Sequence, residues 1–353
     1  MTSARRIALV SLGVAPLALA LAVRPAVLAQ APAAPAAAST VEPLHFHHVH
    51  LNSTDPKAAA AYYPKAFPKS ATATTLNGFE AVKTGNIYLL FSKVAATPQN
   101  ELSGPQTAVW HFGWNTPNSR EYNANFRRDG LAIAQMWNGS DDAAKLVDLS
   151  GDVPMGPDGF PTQEQVLELR AKGAKVDPAV TAGGFGYLRG PDGVMIENAQ
   201  SGQAERFNHV HMYHEHPACA SNWYAEHLGA RRSPARASSA GAPTNPAGCE
   251  TKWYSPPTFP SFAKRGFVRE PRGGASIDDV SISIVPWPGG GLASTRGKVY
   301  DHWAVSTADL DKTVARLKRE NVKFLEEIKP WGNSRAAMIE GPDRIAIEIV
   351  EVK

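Results

Sequence analysis

Residues 48–55 read HVHLNSTD and residues 209–216 read HVHMYHEH. Each is followed by a short helical stretch carrying an aromatic pair, PKAAAAYYPKAF over 56–67 and PACASNWYAEHLG over 217–229. A second kind of segment also occurs twice, WHFGWNTPNS over 110–119 and DHWAVSTADL over 301–310. Each half then closes alike, with YLRGPDGVMIENA over 187–199 and AMIEGPDRIAIEIV over 337–350. Ordered recurrence of this kind restricts the chain to architectures that repeat one unit.

Each unit has the same coarse reading. An alternating strand comes first, as over Phe207–Tyr213. A helix follows, as over Leu310–Glu320, where Leu310, Val314 and Leu317 fall at helical spacing. Further strands then come, such as Ile87–Phe91, Ser281–Val285 and Ile345–Val350, separated by Gly/Pro turns. The runs Gly190-Pro191-Asp192-Gly193 and Gly341-Pro342-Asp343 are turn chemistry joining the last two strands of their segments. Two insertions interrupt the pattern. Residues 139–182 carry a helix of their own at Thr162–Lys172, and residues 232–275 are rich in Pro, Gly and Ser. Insertions of that length on a regular scaffold shape a binding site or its lid.

The start of the chain reads as an export signal. Arg5 and Arg6 precede the apolar run Ile7–Val23, and Val27-Leu28-Ala29 ends in the small residue a signal peptidase needs. Arg24, Pro16 and Pro25 leave that run short and broken for a membrane span. Residues 1–29 are therefore expected to be removed, and the Pro/Ala-rich residues 30–43 to be a linker. Arg5, Arg6 and Arg24 account for three of the 36 basic residues, leaving 33 against 33 acidic ones. A neutral mature chain has no compositional support for nucleic acid or an anionic membrane as partner. In an oxidising compartment a Cys219–Cys249 disulfide becomes the natural state of the two cysteines, with a pair of free buried thiols as the alternative.

The arrangement resembles the vicinal-oxygen-chelate superfamily, which includes glyoxalase I, fosfomycin-resistance proteins, methylmalonyl-CoA epimerase and the extradiol dioxygenases. The resemblance rests on the His-starting first strands and on the two GPD turns followed by a strand with Glu, and covers nearly all of residues 44–352. It implies an α+β fold of four βαβββ modules in two domains. An N-terminal domain would span 44–203 and a C-terminal one 204–353, each of two modules.

A divalent metal needs ligands from separate strands converging on one point, and imidazole with carboxylate suits iron, manganese, zinc or nickel. The N-terminal half offers His48, His111 and Glu197; the C-terminal half offers His209, His302 and Glu348. Family members place metal ligands at these module positions. Two histidines and a carboxylate leave coordination positions open for substrate oxygens, dioxygen or water. Along a strand His48 and His50 share a face while His47 takes the other. His50 and His211 are thus expected beside the metal face, orienting a ligand or acting as acid/base. His45, His214, His216 and His227 are expected to face solvent. Tyr187, if near the site, could donate to a developing oxyanion. Trp110, Trp114, Trp137 and Trp303 are candidates for the core or for an apolar pocket wall.

Two departures from the family narrow the chemistry. Glyoxalase I and the epimerase take a fourth ligand, Glu or Gln, from the last strand of the first module in a pair. Here those strands, 86–94 and 280–287, carry none. Tyr187, Pro191, Gly193 and Glu197 match the second part of the extradiol signature, but its upstream His is missing from TAGGF at 181–185. In the other half Met338 replaces the Tyr and Arg344 the Gly. The resemblance therefore implies a secreted metal-dependent enzyme, dioxygenase-like, acting on a small oxygenated substrate. Redox-neutral lyase or isomerase chemistry, or metal-free sequestration as in bleomycin-resistance proteins, are the alternatives. Oligomeric state is left open.

Overall fold

β1 (His45–Ser53) turns Phe46, Val49 and Leu51 into the core, and His48 and His50 to the opposite face. From His48 onward this is the period-two alternation of a strand with two different surroundings, and Phe46 joins the core side because His47 is an extra, bulged residue. Asp55 caps the helix that follows, accepting from the Ala58 backbone N–H at 3.1 Å, with Pro56 in the first turn. A computed structural model describes residues 42, 44–100, 103–138, 148–150, 185–200, 204–234, 236–237, 243–244, 273–287 and 291–352. The export signal, most of the linker, the 162–172 helix, Cys249 and nearly all of both insertions lie outside them. Among the described residues no helix is long and apolar enough to cross a membrane.

The fold is α+β. The first unit is β1, α1 (Pro56–Ala66), β2 (Ala71–Leu76), β3 (Phe79–Thr84) and β4 (Ile87–Lys93). The second has β5 (Val109–Thr116), α2 (Ser119–Arg128), β6 (Gln135–Asn138), β7 (Asp148–Ser150), β8 (Phe185–Arg189) and β9 (Met195–Gln200). The third has β10 (Arg206–His214), α3 (Pro217–Leu228), β11 (Arg231–Arg232), β12 (Arg236–Ala237), β13 (Pro243–Thr244), β14 (Gly273–Ile277) and β15 (Val280–Pro286). The fourth has β16 (Tyr300–Thr307), α4 (Leu310–Arg319), β17 (Phe324–Trp331), β18 (Ser334–Glu340) and β19 (Ala346–Glu351).

Sheet membership corrects the expected grouping by halves. One 8-stranded sheet runs β17-β18-β19-β16-β1-β4-β3-β2, so it joins the first unit to the fourth. A 7-stranded sheet runs β11-β14-β15-β10-β5-β9-β8 and joins the second to the third. The seams are antiparallel: β1 on β16, with His50 opposite His302, and β5 on β10, with His111 opposite His211. A first strand left unpaired at the edge of its unit presents open backbone groups and must find a partner. That partner is the first strand of a unit in the other half of the chain.

Both seams are bulged at matching places. Between Phe46 and His48 the partner strand advances one residue, which leaves His47 extra; Asn208 is the extra residue between Phe207 and His209. On the facing strands the extra residues are Asp301 and Trp110. A bulge re-aims side chains. His47 therefore stands beside His48, their Nδ1 atoms sharing a hydrogen bond of 2.8 Å, instead of taking the opposite face.

The main core takes one face of each sheet, with Phe46 stacked on Trp303 (5.6 Å) and Phe67 on Trp114 (4.3 Å). Trp114 and Trp303 are thus core residues, while the Trp137 side chain lies outside the described set. The opposite face of the 8-stranded sheet carries a smaller apolar cluster of Ala81, Leu90, Trp331, Ala336 and Val350. The histidines of β1 share that second face.

Candidate metal centres

On the 8-stranded sheet the structure brings together His48 from β1, His302 from β16 and Glu348 from β19. His48 Nε2 lies 3.4 Å from Glu348 Oε2, and His302 Nε2 lies 3.6 Å from it. All three side chains are buried, and none of these three atoms has a hydrogen-bond partner. His50 adds a fourth such atom, Nδ1, while its Nε2 is bonded to Ser92 at 2.7 Å. Nitrogen ligands of His48, His50 and His302 lie within 4.8 Å of one another. Orphaned buried polar atoms are expensive. Ligand atoms bonded to one ion at about 2.0–2.2 Å stand about 3.0–3.4 Å apart. The donor set and its spacing fit a divalent cation.

The second cluster lies on the 7-stranded sheet and draws on His111 of β5, Glu197 of β9 and His209 of β10. His111 Nε2 is hydrogen-bonded to Glu197 Oε2 at 2.6 Å, and His209 Nε2 stands 3.4 Å from the same oxygen. His211, His111 and Glu197 also offer ligand atoms within 4.8 Å of one another. The expected ligand sets are corrected in their grouping: His48 meets His302 and Glu348, while His209 meets His111 and Glu197. Each cluster takes residues from both halves of the sequence because each sheet does.

Burial and charge act together here. Burial pushes the Glu348 carboxyl up, but the flanking imidazoles of His302 and His48 outweigh it and hold the group well below the carboxylate range. Glu197 is held low in the same way by His209 and His111. Burial lowers His48 and His111, and lowers His50 with help from the neighbouring His302 and His48. His47 falls to about 3 through burial and the adjacent His48. His302 goes the other way. Burial opposes its charge, but Asp301 and Glu348 outweigh that and raise it.

Aromatic rings wall the first cluster. His48 stacks on Trp331 (5.7 Å, interplanar 9°), His50 meets the edge of Phe79 (4.9 Å), and Tyr88 lies near His47 (5.9 Å). His47, Tyr88 and Trp331 also line a cleft of about 1450 Å³. At the second cluster Tyr187 is buried with its ring 5.2 Å from that of His111, and Trp110 packs on Tyr213 and His211.

Of the four histidines expected in solvent, His45 and His216 are exposed. His214 and His227 are corrected: both are buried. His214 bonds to Asp343 (2.7 Å) and Tyr224 (2.9 Å), and His227 to Glu320 (2.9 Å). Their acidic partners are remote in sequence, so nothing near either histidine announced it. Cys219 is disulfide-bonded. Sequence reasoning missed Ser92, Trp331 and Asp301. Asp301 carried a usable signal, an acid directly preceding a candidate ligand.

Two such sheets, with histidines and a glutamate meeting from separate strands, give the fold that the vicinal-oxygen-chelate resemblance implies. Residues 206–349 match the model of the Glyoxalase/Bleomycin resistance protein/Dioxygenase superfamily. A glyoxalase I variant from Zea mays shares the fold with a TM-score of 0.54 at 13% identity, covering 87% of this chain and 94% of that one. Glyoxalase I from Zea mays gives 0.52 at 13%, covering 87% and 92%. No curated protein matches the sequence. The family model thus covers the third and fourth units, and the glyoxalase I structures share the fold.

Proposed function

We propose that this chain is an exported, metal-dependent enzyme that holds a small oxygenated substrate through adjacent oxygens, in dioxygenase-like chemistry at the first cluster. The observation that carries the reading is the set of four buried, unpartnered atoms on His48, His50, His302 and Glu348. His48, His302 and Glu348 would hold the ion, with His111, Glu197 and His209 as a second set. A bound iron, manganese, zinc or nickel ion supplies Lewis acidity toward the substrate oxygens, and iron or manganese also supplies dioxygen chemistry. His50 is placed to move a proton. With Nε2 donating to Ser92, its Nδ1 lone pair faces the cluster and can take a hydroxyl proton from the substrate. Phe79, Tyr88 and Trp331 offer flat apolar faces, which suits an aromatic diol, and exclude water around it. His211 and Tyr187 hold the corresponding places at the second cluster.

Removal of residues 1–29 and passage to the periplasm or beyond agree with the disulfide at Cys219, since disulfides persist in oxidising compartments. The partner is a small molecule, with no nucleic acid and no membrane once the signal is removed. A redox-neutral lyase or isomerase is the second reading, favoured by the buried neutral base at His50. Metal analysis of the purified chain is the first test. Stoichiometric metal, lost in His48→Ala plus His209→Ala, is expected; its absence from wild type would leave a metal-free binding protein. Oxygen uptake with a panel of catechols, against product formation without uptake, separates the two chemistries.

A further inference from the structure

We propose that Asp301 is a positioning residue that makes the first cluster the tight metal site of the chain, and that the second cluster, with Trp110 at the matching bulge, is the weaker one. The inference rests on the metal reading above and concerns how the two clusters differ. Asp301 Oδ1 lies 2.6 Å from His302 Nδ1. Its carboxylate is held from several directions: Oδ2 accepts from the Gly297 backbone N–H at 2.7 Å and from Asn52 Nδ2 at 3.2 Å, and Oδ1 also takes Arg296. Arg296 is anchored in turn on Glu326 at 2.8 Å.

The consequence is a fixed ring orientation. A carboxylate on Nδ1 holds the ring, so Nε2 stays turned toward Glu348 and the cluster. Nε2 is the atom found buried and unpartnered. At the second cluster the corresponding imidazole, His111, has no hydrogen-bond partner on Nδ1. Its Nε2 instead meets Glu197 at 2.6 Å, so the atom a metal would need is already engaged. An ion entering there must open the His111–Glu197 bond. An ion entering the first cluster finds both atoms open. His48 and His209 do not explain a difference, since each has a neighbour on Nδ1, at 2.8 Å in both cases.

The test is a zinc titration of the full chain, stripped of metal, in competition with a chromophoric chelator. Wild type is expected to show one tight and one weak class, the tight class absent in His48→Gln and the weak class absent in His209→Gln. Asp301→Asn is expected to weaken the tight class about 10- to 100-fold and leave the weak class unmoved, with Asp301→Glu recovering part of the loss. A merely structural role would shift both classes together, along with the melting temperature of the metal-free protein. Should Asp301→Asn fold poorly, Arg296→Gln, which loosens the carboxylate without removing it, is expected to weaken the same class by less. Equal classes in wild type, or a tight class indifferent to both variants, overturn the proposal and leave the metal reading standing. No zinc bound by wild type overturns both.

Discussion

His48 Nε2 and Glu348 Oε2 face each other across 3.4 Å of buried space, and neither has a hydrogen-bond partner. Each unsatisfied buried group costs about 1–3 kcal/mol, a cost a shared cation would remove. Metal added to the stripped protein should therefore stabilise it, by about 2.7 kcal/mol per site at a hundredfold excess over Kd. Glu348→Gln should lose most of the increment from the first site. Thermal unfolding with and without added metal reads both, and an undiminished rise in the variant would refute the assignment of Glu348.

The two GPD turns act as staples between the sheets. Asp192, between β8 and β9, accepts from the Thr54 backbone N–H (3.1 Å) and Oγ1 (2.6 Å) just after β1. Asp343, between β18 and β19, accepts from the Glu215 N–H (3.1 Å) just after β10 and bonds His214 Nδ1 (2.7 Å). Both aspartates are left-handed, with φ of 54° and 53°. Asp343→Ala strands a fully buried imidazole and should cost about 2–3 kcal/mol; Asp192→Ala, facing a half-buried threonine, should cost about 1 kcal/mol. Urea unfolding orders them, and the reverse order would contradict the staple account.

Acid should weaken the Asp343 staple. Burial raises the Asp343 carboxyl, but His214 outweighs it and the group ends below its ordinary 3.8. A depressed folded value means that the unfolded chain binds the proton more readily. The contribution is therefore whole above about pH 3.8 and lost as pH falls through the folded value. Asp343→Asn should lose stability less steeply than wild type across that acid range. Parallel pH profiles would show that Asp343 carries none of the acid sensitivity.

The repeats made the four units, their described helices and the six residues that meet in the two clusters legible. Which units share a sheet was not. All four first strands alternate in the same way and leave the same open edge, so HVH at 48–50 could as well have met WHF at 110–112 as DHW at 301–303. The choice is made by contacts spread over the whole chain, and no local pattern holds it. His47 failed for a related reason: a bulge depends on the partner strand as much as on the residues that form it. His214 and His227 looked like surface residues because Asp343 and Glu320, which make their burial tolerable, lie far along the sequence.

Gly113 sits where the second cluster leaves no room. A Cβ there would come 2.5 Å from His209 Cε1 and 2.8 Å from the Glu197 backbone oxygen, which cannot yield. The residue opposite His48 in the other sheet is Ala304, so the first cluster tolerates a side chain at the matching place. Gly113→Ala should push the His209 ring away from Glu197 and cost about 1–3 kcal/mol. Ala304→Gly should cost at most about 1 kcal/mol, mainly through backbone entropy. Imidazole NMR resonances of His209, followed with urea unfolding, check this pair. An unmoved His209 in Gly113→Ala would mean that the cluster has slack the structure does not show, and that its ligands are free to rearrange around an ion.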